Sequence, residues 1–155
     1  MRLTLPAVPA SVARARHAAV ALARALGAPE RVVADVALAV SEACTNVVEH
    51  AYRDAAAPGA LHVDARATGD GLLEIVVADE GAGLRTRPGS AGLGMGLALM
   101  AAVATGLELG HDAGATRVRL TFCLRGDEAA ARDAESVAAP GAAPESDAAG
   151  TEDRD

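Results

Sequence analysis

Four short polar or glycine-rich segments interrupt an otherwise apolar, alanine-rich chain, and they restrict what this chain can fold into. In chain order they are Glu42-Ala-Cys-Thr-Asn46, Asp79-Glu-Gly81-Ala-Gly83, Gly92-Leu-Gly94-Met95-Gly96 and Gly114-Ala-Thr116. Glycine permits close backbone approaches and conformations that other residues avoid, so glycines near carboxylate and amide side chains indicate a pocket. Each segment alone is a weak indication of a binding pocket, but the four segments together, in this order, are a specific one.

The composition favours a single core of small side chains and excludes several classes of function. The 155 residues are enough for one domain, and 51% of them are hydrophobic but only 1% aromatic, which is unsuited to stacking on nucleic acid bases. No apolar run approaches the roughly 20 residues of a membrane span, and the N-terminal sequence lacks the features of a secretory signal. Cys44 and Cys123 lack metal-ligand spacing, so free thiols in a cytoplasmic protein are expected.

The formal net charge of −7 lies entirely in the last part of the chain. Residues 1–125 carry 12 arginines and 12 acidic residues, whereas residues 126–155 carry 2 arginines and 9 acidic residues. Because the first part has no basic excess, direct binding of nucleic acid is not expected. Residues 126–155 are mainly Ala, Gly, Pro, Ser and acidic residues without periodicity, which predicts a disordered acidic tail behind a domain of residues 1–125.

The hydrophobic pattern predicts the order strand, helix, helix, strand, strand, helix, strand, strand. These elements are expected at residues 2–5, 11–26, 29–51, 61–65, 72–78, 97–104, 107–109 and 116–122. Ser11 is the expected N-cap of the first helix and Gly27 its C-terminal stop. The order predicts an α/β two-layer sandwich of the α+β class, in which a mixed, mostly antiparallel sheet carries its helices on one face.

The first polar segment lies on the second predicted helix, which is apolar on nearly every face. Glu42 and Asn46 are one helical turn apart and share a face, and Glu49 and His50 continue the polar stripe. An asparagine oxygen suits magnesium, a hard cation, and a glutamate can accept a proton from an attacking hydroxyl or water. The alternative is the ordinary exposed face of an amphipathic helix.

The second segment follows the strand predicted at residues 72–78, whose last four residues before Asp79 are apolar. A carboxylate at a strand end can accept a hydrogen bond from an exocyclic amine such as that of adenine. Gly81 and Gly83 carry no Cβ and let the backbone approach a flat ring. The alternative is a simple turn.

The third segment places Gly92, Gly94 and Gly96 just before a predicted helix, where backbone N–H groups suit phosphate oxygens. The spacing is not that of dinucleotide-binding or P-loop motifs, and a flexible connector is the alternative. Gly114 and Thr116, the fourth segment, lie at the start of the last predicted strand. They indicate a binding site only in combination with the other three segments. Together the four segments indicate a pocket that holds ATP through magnesium.

These segments, in this order and at these separations, resemble the boxes of the GHKL (Bergerat-type, histidine-kinase-like) ATPase superfamily. The first looks like the N box, the second and third like the two glycine boxes, and the fourth like the last box. Within that superfamily, residues 41–52, 92–100 and 116–122 are especially similar to the bacterial anti-sigma-factor serine/threonine protein kinases. The resemblance covers residues 10–123.

The resemblance implies a histidine-kinase-like ATPase fold and a role for each site residue. Asn46 would bind magnesium, Glu42 would be the catalytic general base, and Asp79 would hydrogen-bond the adenine amine. The other nucleotide-binding residues would be Gly81, Gly83, Gly92, Gly94, Met95, Gly96 and Thr116.

The resemblance also implies ATP and Mg²⁺ as cofactors, a homodimer and two protein partners. One partner is a sigma factor held inactive, and the other is an anti-anti-sigma protein of the STAS class that is phosphorylated on Ser or Thr. The alternative is an ATP-binding switch module that grips a partner without productive phosphotransfer. A detached sensor histidine kinase domain is disfavoured, because only His17 precedes the N box and no upstream helical hairpin carries a phospho-acceptor histidine.

Deleting residues 126–155 is expected to leave the affinity for ATP unchanged, because all four segments lie within residues 1–125. Calorimetric titration of the full chain and of the truncated chain with Mg-ATP checks this. A marked loss of affinity on truncation would contradict the assignment of these residues to a separate tail.

Overall fold

The computed structural model describes residues 1–53, 55–81, 93–112 and 115–125, and within them three α-helices and a π-helical turn pack on five strands. The strands are β1 (Arg2–Pro6), β2 (Ala60–Ala67), β3 (Leu72–Asp79), β4 (Gly106–Asp112) and β5 (Ala115–Cys123). The helices are α1 (Pro9–Ala25), α2 (Glu30–Asn46) and α3 (Leu93–Val103), and the π-helical turn (Val47–Ala51) continues directly from α2. The predicted acidic tail lies outside the described residues.

The strands form one sheet in the order β1-β2-β3-β5-β4, and each of the four pairings is antiparallel. Along β3 buried and half-buried residues alternate from Leu72 to Asp79, because successive side chains of a strand point to opposite faces. The helices contact the sheet through α1 on β1, α2 on β3 and β5, and α3 on β4. The predicted two-layer sandwich is therefore confirmed, and every described strand pairing is antiparallel.

Small side chains between α1 and α2 let the two helices approach closely. Ala15, Ala19 and Ala23 recur every four residues along α1, so they share one face, and all three are fully buried. Helix α2 contributes Val36, Ala39, Val40 and Ala43 to the same core. The largest buried side chains of the sheet are Leu61, Leu73, Ile75, Leu120 and Phe122.

The structure confirms one of the two predicted boundaries of α1 and corrects the other. Gly27 adopts a φ of 76°, and the N–H groups of Gly27 and Ala28 donate to the carbonyls of Arg24 and Ala23. This paired hydrogen-bonding pattern ends a helix at a left-handed glycine, so the predicted stop is confirmed. The predicted N-cap is wrong, because α1 begins at Pro9 and Ser11 lies buried inside it. Proline starts a helix readily, since its missing N–H would have no partner there.

Helix α2 is the central helix of the fold. It contacts both α1 and α3, and it also contacts strands β3 and β5 of the sheet. Eight of its residues are buried, including Asn46 at its C-terminal end. Among the described residues no helix combines the length and the apolar character that crossing a membrane requires.

Substituting Ala19 with leucine is expected to lower the free energy of unfolding by about 1–3 kcal/mol, because a well-packed interface has no room for the added atoms. The matched control is Ala21→Leu on the exposed side of α1, which should change stability by no more than about 0.5 kcal/mol. Urea denaturation of both variants gives the comparison. Equal effects would contradict close packing of α1 on α2.

Candidate functional site

A cleft opens between the C-terminal end of α2, the π-helical turn, and the adjacent ends of β3 and β5. Four polar side chains line it, and they belong to Asn46, His50, Asp79 and Thr116. The remaining lining residues are apolar and mostly small: Ala43, Val47, Ala51, Val77 and Val118. The lining therefore combines an apolar wall with a few polar groups, as in small-molecule sites, and the described residues leave about 250 Å³ of empty space there.

The antiparallel register of β3 and β5 brings Asp79 and Thr116 together. Ala78 pairs with Arg117, so the last residue of β3 lies beside the beginning of β5. Asp79 and Thr116 point inward and are only 3% and 5% exposed. The Oδ1 atom of Asp79 accepts the N–H of Gly81 at 2.9 Å, an aspartate-centred turn that holds the carboxylate at the strand end.

Glu42 and Asn46 meet the first turn of α3. A methyl group on Gly96 would lie 3.0 Å from Oε2 of Glu42 and 3.7 Å from both Oδ1 and Nδ2 of Asn46. Asn46 is 6% exposed, and its Nδ2 atom is buried without a hydrogen-bond partner among the described residues. An unpaired buried amide is costly, so this side chain is suited to a hydrogen-bond partner from outside the described residues.

Gly81 permits a close contact between the segment that follows β3 and the π-helical turn beside the cleft. A methyl group at this position would overlap the backbone carbonyl of Ala51, the last residue of the π-helical turn. Backbone atoms of a packed turn cannot yield as a flexible side chain can. Only glycine therefore lets the segment after β3 reach the end of the helix, and π-helical turns of this kind often occur at functional sites.

The structure brings six of the predicted site residues to this cleft or its edge: Glu42, Asn46, Asp79, Gly81, Gly96 and Thr116. Gly94 lies within α3, which begins four residues earlier than predicted, and the side chain of Met95 is exposed. Gly83, Gly92 and Gly114 lie outside the described residues. The chemical role of each residue stays a prediction.

Two groups of lining residues received no role from the sequence. His50 lines the cleft and its Nδ1 atom lies 3.2 Å from Nη2 of Arg53. Its position four residues after Asn46 was the available signal, since such residues share a helix face. The apolar wall had no signal, because Val47, Ala51 and Val77 read as ordinary core residues.

Cys44 contributes no nucleophile, although it lies between Glu42 and Asn46 in sequence. Burial raises the pKa of its thiol to about 12, and the reactive species of cysteine is the thiolate. In the described part of the chain no group of three or more His, Cys, Asp or Glu is arranged to hold a metal ion. The available chemistry at the cleft comes from carboxylate, amide, imidazole, hydroxyl and backbone groups.

Comparison with known proteins gives one family match. A family model described as a histidine kinase-like ATPase domain matches residues 5–122. Among curated proteins, the chain is similar to the serine-protein kinase RsbW of Bacillus cereus (strain AH820), with 29% identity over 140 residues that cover 81% of this chain and 86% of the relative. The protein of the same name from Bacillus anthracis matches with the same identity and coverage.

Two solved structures resemble this fold. The RsbU and RsbW domains of a Mycobacterium tuberculosis protein match with a TM-score of 0.64 and 29% identity, over 80% of this chain. The chain spans only 32% of that protein's chain. The histidine kinase domain of the Erythrobacter litoralis EL346 blue-light activated histidine kinase matches with a TM-score of 0.56 and 22% identity, over 68% of this chain and 50% of that one. This second likeness supports the fold alone.

Substituting Gly81 with alanine is expected to lower the free energy of unfolding by about 1–3 kcal/mol, because the added methyl must displace backbone at Ala51. Gly69→Ala, in the turn between β2 and β3, is the matched control, since nothing lies within 4 Å of its added methyl. Chemical denaturation of both variants measures the difference. Equal stabilities would show that the segment after β3 moves away from the helix at no cost.

Proposed function

The chain belongs to the histidine kinase-like ATPase domain family, and from that premise we propose that it is an ATP-dependent protein serine/threonine kinase acting as an anti-sigma factor. The observation that carries this proposal is one cleft with two chemically different ends. Asp79 and Thr116 lie at the sheet end. Glu42 and Asn46 lie at the other end, against the first turn of α3.

The sheet end suits the adenine base. A carboxylate can accept several hydrogen bonds at once, so Asp79 can hold both the Gly81 N–H and the exocyclic amine of adenine. Thr116 supports the same end. The apolar lining residues Val47, Val77 and Val118 offer the faces of a flat ring a dry surface.

The helical end suits magnesium and the phosphates. Asn46 supplies one oxygen ligand, and Mg²⁺ commonly takes one or two protein ligands together with substrate phosphates and water rather than an all-protein cage. When bound, the ion neutralises charge on the phosphate oxygens. A phosphate oxygen can accept a hydrogen bond from Nδ2 of Asn46, which has no partner among the described residues.

The transfer step follows from the groups around that end. Glu42 accepts the proton of a substrate Ser or Thr hydroxyl as the hydroxyl oxygen attacks the γ-phosphorus of ATP. The bond from that phosphorus to the β,γ-bridging oxygen breaks, and ADP leaves with the electron pair. The first turn of α3, which contains Gly94 and Gly96, directs backbone N–H groups at the phosphates. A methyl group on Gly96 would lie 3.0 Å from the Glu42 carboxylate and would displace it, so glycine at this position keeps the carboxylate in place. Catalysis then rests on positioning and charge stabilisation.

The partners in this proposal come from the resemblance to the anti-sigma-factor kinases. That resemblance is strong in residues 41–52, 92–100 and 116–122, and the similar Bacillus proteins, which are named serine-protein kinase RsbW, support the kinase activity. The substrate is accordingly a STAS-domain anti-anti-sigma protein, and the protein held inactive is a sigma factor. The kinase works as a cytoplasmic homodimer.

Mixing the protein with Mg-ATP and each STAS-domain protein from the same genome is expected to add phosphate to one of them, detected by intact-mass spectrometry. Glu42→Ala should slow the transfer by about 10²–10⁴-fold, the usual contribution of a general base. Glu49→Ala is the matched control, because this glutamate lies on the adjoining turn with its side chain 60% exposed.

Calorimetry must show that both variants still bind ATP. Transfer that survives in Glu42→Ala would contradict the role of this residue. Absence of transfer to every candidate, with ATP bound, would contradict the kinase and favour the switch module.

A further inference from the structure

The hydroxyl of Tyr52 joins three parts of the fold beside the cleft. Tyr52 directly follows the π-helical turn. Its hydroxyl donates to the carbonyl of Ala60 at 2.7 Å and accepts the N–H of Glu80 at 2.9 Å. Ala60 begins β2 and Glu80 directly follows the last residue of β3. One side-chain oxygen thus ties the end of the helix to both strands.

The ring of Tyr52 packs closely against the backbone. A methyl group on Gly59 would overlap ring carbons Cε1 and Cζ of Tyr52, so the ring lies against bare backbone at that position. The carbonyl of Gly59 is itself held by the N–H of Ala7 at 2.9 Å. The ring therefore rests on backbone that other contacts keep in place, and the hydroxyl is directed to its two partners.

The accepted N–H belongs to the peptide unit that joins Asp79 to Glu80. Because this hydrogen bond fixes the peptide, it restricts the movement of the backbone from which the Asp79 side chain extends. Two other contacts hold the same segment: Oδ1 of Asp79 accepts the Gly81 N–H at 2.9 Å, and the Glu80 carboxylate lies 3.2 Å from Nε2 of His62. Both contacts lie within the sheet and its loop. The Tyr52 hydroxyl, in contrast, connects this segment by a hydrogen bond to the residue that follows the π-helical turn, beside the packing contact of Gly81 on Ala51.

We propose that Tyr52 is a positioning residue that sets the Asp79 carboxylate relative to Asn46 and thereby determines the preference for adenine over a purine without the 6-amino group. The inference rests on the proposed function, because it needs Asp79 to receive the adenine amine. Tyr52 itself does not contact the nucleotide. Its effect is carried through the Asp79–Glu80 peptide, so it falls on the interaction that Asp79 makes.

The test compares ATP with inosine triphosphate, which has a carbonyl in place of the 6-amino group. Calorimetric titrations use the full chain with magnesium and either nucleotide. Tyr52→Phe keeps the ring and removes only the hydroxyl. It is expected to weaken ATP binding about tenfold, which corresponds to about 1.4 kcal/mol, and to leave binding of inosine triphosphate nearly unchanged.

The matched control is Thr105→Val. The Thr105 hydroxyl accepts the backbone N–H of Cys123 at 3.2 Å, so this variant loses a bond of the same kind at the far end of β5. It should change neither affinity. In an Asp79→Asn background, Tyr52→Phe should have no further effect on ATP binding, since two residues that act through one interaction are not additive.

A spectroscopic readout is available because Tyr52 is the single tyrosine of the chain. Incorporation of 3-fluorotyrosine yields one fluorine resonance, which ATP should shift more than inosine triphosphate does. A shift of equal size with both nucleotides would contradict the proposal.

The outcomes separate two kinds of failure. If Asp79→Asn weakens ATP binding but Tyr52→Phe does not, or if Tyr52→Phe weakens both nucleotides equally, the positioning role is overturned and the nucleotide site stands. If Asp79→Asn leaves ATP binding intact, the proposed adenine contact fails and the positioning role falls with it.

Discussion

The cleft depends on the contact between the π-helical turn and the segment after β3, because this contact brings together side chains that are distant in sequence. Gly81 meets the carbonyl of Ala51 without room for a methyl group, and Asp79 lies two residues earlier at the strand end. Asn46 and His50 line the helical side of the same cleft. If the two elements were separated by the width of one side chain, the amide and the carboxylate would no longer face a common space.

Buried polar groups are concentrated at this contact. In the part of the chain that the structure describes, the buried polar side chains are Ser11, Asn46, Asp79 and Thr116, and the last three line the cleft. Burying polar atoms costs free energy unless they are hydrogen-bonded, and the amide nitrogen of Asn46 has no partner there. A local departure from good packing is typical of binding sites. A ligand that supplies the partner also stabilises the fold.

The sequence predicted the features that follow from local rules and missed those that depend on tertiary contacts. The hydrophobic pattern predicted a strand that runs directly up to Asp79, and in the structure Asp79 is the last residue of β3. The helix expected over residues 29–51 is interrupted after Asn46 by the π-helical turn Val47–Ala51. None of the residue types in this turn predicts the interruption. The bond from Glu80 to Tyr52 joins residues 28 positions apart. No periodicity reports such a pair, because only the folded arrangement of helix and sheet brings it together.

The two ends of the cleft are held by different kinds of contact, and this separates recognition from chemistry under the proposed function. The positions of Asp79 and Thr116 are set by strand register, which resists displacement because a slip of one residue would turn every side chain to the other face. Glu42 instead faces Gly96 across a contact between two helices, so close that a methyl group on Gly96 would lie 3.0 Å from Oε2 of the carboxylate. Packed helices slide by small amounts more readily than strands change register. Movement of α3 therefore alters the surroundings of the Glu42 carboxylate before it disturbs Asp79, so phosphoryl transfer can be changed while the base stays bound.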